Sequence, residues 1–301
     1  MVAPELVQVQ PAVVFSWLPF GTVRASASAR AAALSSAKLE ALASPEGAPT
    51  MVVGGKQTKG ALPHQTPHFD AALYSSRGRG YARYNEDGAI LFSDQKGNLY
   101  SAVFDQAGGL GGRIRGAASQ LAARETFDAF KRVLTLPSGA DPAEALIEGL
   151  MIAHHALVQR GEGEVTTAVL LIADPDGATL VSSGDSAGLR FDREGRFVDQ
   201  TLKHEVATPF GVGALTHAVG LVPEEPSPER YRWTFERGDW IVLCTDGLLD
   251  AGLDAPTVGK ILIGAQSAED AVNQLASKVL RRMALLQAKP DNLTIVAIKA
   301  R

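Results

Sequence analysis

Apolar runs of strand type in this 301-residue chain repeatedly stop at an aspartate: "SAVFD" at Asp105, "LVSSGD" at Asp185 and "IVLCTD" at Asp246. "KPDN" sets Asp291 just before the last such run, and "RYNED" sets Glu86 and Asp87 just before "GAILFS". A strand end is a rigid place from which to aim a side chain. Carboxylates gathered there repel one another unless protons or cations neutralise them. Oxygen donors with no cysteine or histidine pattern favour Mg²⁺ or Mn²⁺ over Zn²⁺. Taken singly, each acid has a plainer reading, because Gly-Asp and Asp-Gly are common turn dipeptides and Asp291 follows Pro290. Spacing alone leaves open whether these ends converge.

The order of elements narrows the fold. "GAILFSD" and "QKGNLYSAVFD" read as two strands joined by a turn at Asp94–Asn98. "RGAASQLAARETFDAFKRVL" carries a helical apolar stripe, and "DPAEALIEGLMIAHHALVQRG" has Asp141 as N-cap, Pro142 at the first helical position and a closing Gly161. Strands resume in "VTTAVLLIA", "ATLVSSGD", "AGLRF", "RYRWTF" and "DWIVLCTD"; a helix in "SAEDAVNQLASKVLRRMALLQ" and a strand in "NLTIVAIKA" close the chain. Strand and helix do not alternate regularly, which argues against a doubly wound parallel sheet. Packed antiparallel sheets with helices outside are expected instead.

Composition shifts near residue 75. The Ala/Ser-rich and turn-rich stretch 1–75 reads as a partly ordered N-terminal extension with one helix at Ser28–Ala43, or as a docking or autoinhibitory segment for a signalling partner. The main domain is expected over 76–301. A net charge of −4 argues against a nucleic-acid partner. No run approaches the roughly 20 apolar residues of a membrane span. The start lacks a basic leader and carries Glu5, so a cytoplasmic protein is expected. The one cysteine, Cys244, lies in an apolar run and reads as a buried, inert thiol.

The stretch "VFDQAGGLGGRIRGAAS" poses two alternatives, a phosphate cradle of backbone amides or a carboxylate that grips a metal. A Walker element needs Gly-Lys-Ser/Thr after its glycines, and "GGRIRG" has none. No parallel βαβ unit surrounds the stretch to make it a dinucleotide fingerprint. The metal reading, in which the glycines let the loop bend around Asp105, is the stronger.

"RYNED", "VFDQAGG", "GEVTTAVLLIA", "SSGDSAGLRF", "LTHAVG", "IVLCTDGLLD" and "KPDNLTIVAI" occur in the order used by the metal-dependent protein phosphatases of type 2C, and residues 76–301 resemble that family of bacterial type. The resemblance implies an α+β fold, a four-layer α-β-β-α sandwich of two antiparallel sheets with flanking helices. It implies hydrolysis of phosphoserine or phosphothreonine in proteins by a metal-activated water at a centre of two Mn²⁺ or Mg²⁺ ions. On that resemblance Asp105 bridges the ions, Gln106 offers its backbone carbonyl, and Asp246 and Asp291 ligate the second ion. Glu86 and Asp87 hold it directly or through water, and Asp185 helps bind a third, weaker ion.

The pattern departs from the family in three places. Gln106 stands where glycine is common, so a positive φ there would be strained. Ala107 stands where a proton-donating histidine is common. Ala82 occupies the usual place of the phosphate-binding arginine, with Arg83 one residue later, so a bulge would have to re-aim Arg83 unless Arg79 or Arg77 reaches in. His154 and His155 are helix neighbours and do not share a face, so core and surface placement is expected. His204 and His217, in a short flap-like segment, are candidate proton donors. A regulatory phosphatase-like module that binds metal or phosphoprotein with little turnover is the alternative.

Overall fold

The computed structural model describes residues 49–53, 55–79, 84–107, 116–137, 140–207, 213–223 and 225–301. Apolar residues in the central strands are continuous rather than alternating, because both faces of each sheet are covered. The first sheet runs in the order β1 (Thr50–Val52), β4 (Gly88–Ser93), β5 (Leu99–Phe104), β6 (Ala168–Asp174), β7 (Gly177–Ser183) and β12 (Glu229–Trp233). The second runs β2 (Leu62–Gln65), β3 (Phe69–Ser76), β14 (Leu293–Ala300), β13 (Trp240–Cys244), β8 (Ala187–Phe191) and β9 (Phe197–Gln200). All pairings are antiparallel among the described residues. A separate ribbon, β10 (Glu205–Ala207) with β11 (Gly213–Leu215), forms in the flap-like segment.

Inner faces of the two sheets meet through Leu73, Leu91, Val103, Leu171, Leu180, Ile241, Leu243 and Val296. The outer face of the first sheet packs Ile90, Phe92, Ala102 and Leu170 under α1 (Ala117–Leu134) and α2 (Pro142–Arg160). Outside the second sheet lie the short α3 (Asp246–Leu249), α4 (Ala255–Gly264) and α5 (Ala268–Ala284), which bury Leu248, Val258, Leu262, Val272, Leu275 and Val279. The expected four-layer α-β-β-α sandwich is what is found. Among the described residues no helix is long and apolar enough to cross a membrane.

The helix ends follow their sequence signals. Asp141 accepts the Ala143 N–H at 2.9 Å with Pro142 in the first turn, Gly161 closes α2 in the left-handed region, and Ser267 caps α5 on the Asp270 N–H. His154 is buried and its neighbour His155 exposed, as helix geometry requires.

The boundary expected at residues 75 and 76 falls inside β3. β1, β2 and β3 are strands of the two sheets, so the sandwich takes in chain from Thr50 onward. β2, "LPHQ", carries a proline that only an edge strand tolerates. β3, "FDAALYSS", is buried throughout because it lies between β2 and β14. Its alanines and serines give a weak strand signal, so in the sequence it reads with the Ala/Ser-rich extension. The expected helix Ser28–Ala43 lies outside the described residues.

Candidate metal centre

Strand register brings the acids to one end of the sandwich. Gly88 stands opposite Phe104, so Asp87 and Asp105 flank the same pair. Val103 stands opposite Val169 and Ala168 opposite Ser183, which carries Asp105 toward the Thr167 and Gly184–Asp185 corner. In the other sheet Cys244 stands opposite Ile295, which sets Asp246 beside the Asp291–Asn292 corner. Two glycines allow the backbones to close in. A Cβ on Gly247 would stand 1.9 Å from the Asn292 carbonyl oxygen, and one on Gly78, whose φ is +70°, would stand 1.8 Å from that of Asp291. The Asp-Gly dipeptide at 246 and 247 therefore serves close approach of the two acid-bearing corners.

Asp87 is fully buried. Its Oδ2 accepts from the Thr294 hydroxyl at 2.7 Å and the Thr245 hydroxyl at 3.0 Å. Thr294 also exchanges a hydrogen bond with Ser75 at 2.8 Å, and Asn85 donates to Ser75 at 2.8 Å and to the Lys56 carbonyl at 2.7 Å. This polar chain ties the two sheets together beneath the acids. Replacing Thr294 with the near-isosteric valine should cost about 1–3 kcal/mol, since it strips one donor from a buried carboxyl. Urea unfolding at neutral pH measures it.

Asn292 does for the main chain what the threonines do for Asp87. Its Oδ1 accepts the Glu86 N–H at 2.7 Å, and its amide donates to the Tyr84 carbonyl at 3.0 Å and the Arg77 carbonyl at 3.2 Å. It thus ties the Arg77 and Tyr84 carbonyls to the Glu86 N–H. The Glu86 carbonyl accepts from Ser119 at 2.6 Å, and the half-buried Glu86 side chain lies next to Asp87 in the chain.

The Asp105 backbone is pinned to the Thr166–Thr167 pair just ahead of β6: its N–H donates to Thr167 Oγ1 at 3.1 Å, and its carbonyl accepts from the Thr167 N–H at 2.8 Å and from Thr166 Oγ1 at 3.0 Å. Thr167 in turn meets Ser186 of the "GDS" motif at 2.6 Å. Gln106 turns its side chain to the start of α1, where Oε1 accepts the Ala118 N–H at 2.9 Å. Its φ is not positive, since Ser227 and Leu286 are the non-glycine residues with positive φ among those described. The side chain thus costs no left-handed strain and supplies a helix-start acceptor.

The electrostatics are those of crowded like charges. Burial, then the charges of Asp246, Asp87, Asp185 and Asp291, push the Asp105 carboxyl well above the usual carboxylate range. Burial raises Asp87 likewise, against the two threonine hydroxyls. Burial and Asp291 push Asp246 up to about 6, and the Asp105 carboxyl lies within its hydrogen-bonding reach. Asp185 is raised by burial and then by Glu205. Five aspartates therefore feel one another at this end. Their orphaned atoms fit a cation: Asp87 Oδ1 and Asp246 Oδ1 are buried without a hydrogen-bond partner. Among the described residues no three acids, histidines or cysteines are drawn up as a closed ligand group. On the Asp246–Asp291 side the charge is met by the Lys289 ammonium instead, 2.7 Å from Asp291, and 3.7 Å from both Asp246 and Asp250.

Of the expected phosphate-binding arginines, Arg83 lies outside the described residues, as do Ala82 and the glycines at 108–112. Arg77 and Arg79 are exposed, on the segment that Gly78 packs against Asp291. His204 is buried beside the "GDS" corner: its Nδ1 accepts the Gly184 N–H at 3.2 Å, so the neutral ring carries its proton on Nε2. Burial, then the nearby His217, lowers its pKa. The Cys244 thiol is buried and pushed up to about 12 by that burial, consistent with an inert residue. Sequence reasoning missed Thr245, Thr294, Asn292 and Lys289. The last two sit inside the quoted "KPDN", where only Asp291 had been singled out.

A sandwich of two antiparallel sheets between helix layers is the fold of PP2C-like phosphatases. The family model described as "Stage II sporulation protein E (SpoIIE)" matches residues 106–301, more than half of the chain, and the chain belongs to that PP2C-like family. The match begins just after Asp105, so "RYNED" and Asp105 lie ahead of it. Among solved structures, PppA, described as a key regulatory component of T6SS in Pseudomonas aeruginosa, is 25% identical with a TM-score of 0.63, covering 78% of this chain and 99% of that one. The S. agalactiae serine/threonine phosphatase is 18% identical at a TM-score of 0.65, covering 77% and 100% of the two chains. The Mycobacterium tuberculosis serine/threonine phosphatase PstP/Ppp is 23% identical at a TM-score of 0.60, covering 77% and 98%. No curated protein matches the chain.

Proposed function

We propose that this protein is a metal-dependent serine/threonine protein phosphatase. The observation that carries the reading is the gathering of Asp87, Asp105, Asp185, Asp246 and Asp291 at one end of the sandwich, with buried carboxylate oxygens that no protein donor satisfies. Asp105 would hold both ions, Asp246 and Asp291 the second, with Glu86, Asp87 and the Gln106 carbonyl completing the set and Asp185 serving a third. Two Mn²⁺ or Mg²⁺ ions would supply an activated water and positive charge for the phosphoryl oxygens. The chain's own part is positioning. The threonine hydroxyls hold Asp87, the Thr166–Thr167 pair ahead of β6 holds Asp105, and Asn292 holds the backbone of Glu86, Tyr84 and Arg77. Arg83, or Arg77 or Arg79 from the segment against Asp291, would bind the substrate phosphate.

One observation favours a second reading, a regulatory phosphatase-like module with little turnover: the Lys289 ammonium already neutralises the Asp246–Asp291 side. Para-nitrophenyl phosphate and a phosphoserine peptide, each assayed with and without Mn²⁺, separate the two. Metal-dependent release of phosphate from both supports the enzyme. Absence of release, with Mn²⁺ binding shown by calorimetry, overturns it in favour of the module.

A further inference from the structure

Lys289 is delivered to the acids by a stiffened link. Pro290 fixes its own φ and biases the residue before it toward extended backbone, so Lys289 is presented at a set angle two residues ahead of Asp291. Its Nζ stands 2.7 Å from Asp291 Oδ2 and 3.7 Å from Asp246 Oδ2, with Asp250 Oδ2 also at 3.7 Å. Asp246 and Asp291 are the acids that the proposed function gives to the second ion. A divalent cation would need oxygens of both acids at roughly 2.0–2.6 Å, whereas the ammonium hydrogen-bonds Asp291 Oδ2 and, 3.7 Å from Asp246 Oδ2, places a positive charge that repels an ion between them. The lysine side chain is 51% exposed, so it has solvent to move into when displaced. No ion pair joins it to Asp105, Asp87 or Asp185.

We propose that Lys289 is a tethered monovalent competitor for the ion that Asp246 and Asp291 would hold, lowering the affinity for that divalent ion more than for the other. The inference rests on the metal-centre reading above. Its consequence is a graded centre in which one ion binds readily and the other only once the ammonium is displaced, so that divalent-cation concentration sets how far the site is filled.

The test is Mn²⁺ binding to the full-length protein, followed by the electron paramagnetic resonance of free Mn²⁺, for the wild type, Lys289→Gln and Lys289→Arg. Lys289→Gln should tighten the weaker Mn²⁺ constant about tenfold or more, the size of effect expected when an opposite charge within ion-pair distance of a carboxylate is removed. Lys289→Arg should keep it weak. Thermal unfolding gives a second signature that a packing role would not produce: metal-free Lys289→Gln should melt below the wild type, and saturating Mn²⁺ should close that gap. Equal Mn²⁺ binding by wild type and Lys289→Gln overturns the role of Lys289 while leaving the metal centre intact. If none of the three proteins binds Mn²⁺, the centre itself fails, and this proposal with it.

Discussion

Asp105→Asn should abolish Mn²⁺-dependent turnover of para-nitrophenyl phosphate, by about a thousandfold or more, without unfolding the protein. The loss is expected because Asp105 is the acid on which the others bear: its carboxyl is raised by burial and by the charges of Asp246, Asp87, Asp185 and Asp291 together. A neutral amide would leave two ions without their shared anionic oxygen, and electrostatic stabilisation of this kind commonly carries several orders of magnitude. Turnover at the wild-type rate would remove Asp105 from the reaction.

The same variant separates a chemical role from a structural one through the pH dependence of stability. A carboxyl whose folded pKa lies above its unfolded value of 3.8 binds more protons folded than unfolded over that window. Its favourable contribution is therefore present below the unfolded value and is lost as pH rises through the folded one. Asparagine does not titrate. Metal-free Asp105→Asn should thus match the wild type near pH 4 and become the more stable of the two toward pH 7, measured by thermal unfolding in a chelator. A variant less stable than the wild type at pH 7 would mean that Asp105 is a buried structural acid.

Gly247→Ala should destabilise the fold by about 3 kcal/mol or more and weaken Mn²⁺ binding with it. The added methyl would stand 1.9 Å from the Asn292 oxygen and 3.1 Å from its carbonyl carbon, both backbone atoms that no rotamer change can move. Relief requires the Thr245–Gly247 corner to back away from Asn292, which also draws Asp246 from Asp291 and strains the Thr245 bonds to Asp87 and Thr294. Chemical denaturation and Mn²⁺ titration of the one variant check both effects. An alanine variant as stable as the wild type would mean that the two corners are not packed as described.

The central elements were readable because their signals are local. β4, β5, β6, β7, β8, β13 and β14 are runs rich in apolar residues, and α2 carries its N-cap, first-turn proline and closing glycine within a few residues of its ends. β1, β2, β3, β9, β10, β11, α3 and α4 were not anticipated. β9 is exposed along its length, and β2 is an edge strand of four residues containing proline, so neither has a strong apolar pattern. β3 is strand-like only through its neighbours.

The sequence by itself determined which residue types stand at the strand ends, that they are oxygen donors, and the order of motifs that the PP2C-like family shares. Those are properties of short windows. Only the tertiary structure decided that the acids share one end, because that depends on the register of Gly88 with Phe104 in one sheet and of Cys244 with Ile295 in the other. It alone disclosed the partners that hold them. Thr294 reaches Asp87 across 207 residues of chain and Ser75 across 219, and no pattern at such separations marks a threonine as a donor to a buried carboxyl. The Lys289 ammonium belongs to the same class: one charged residue in the sequence, and a cation among three carboxylates once the chain is folded.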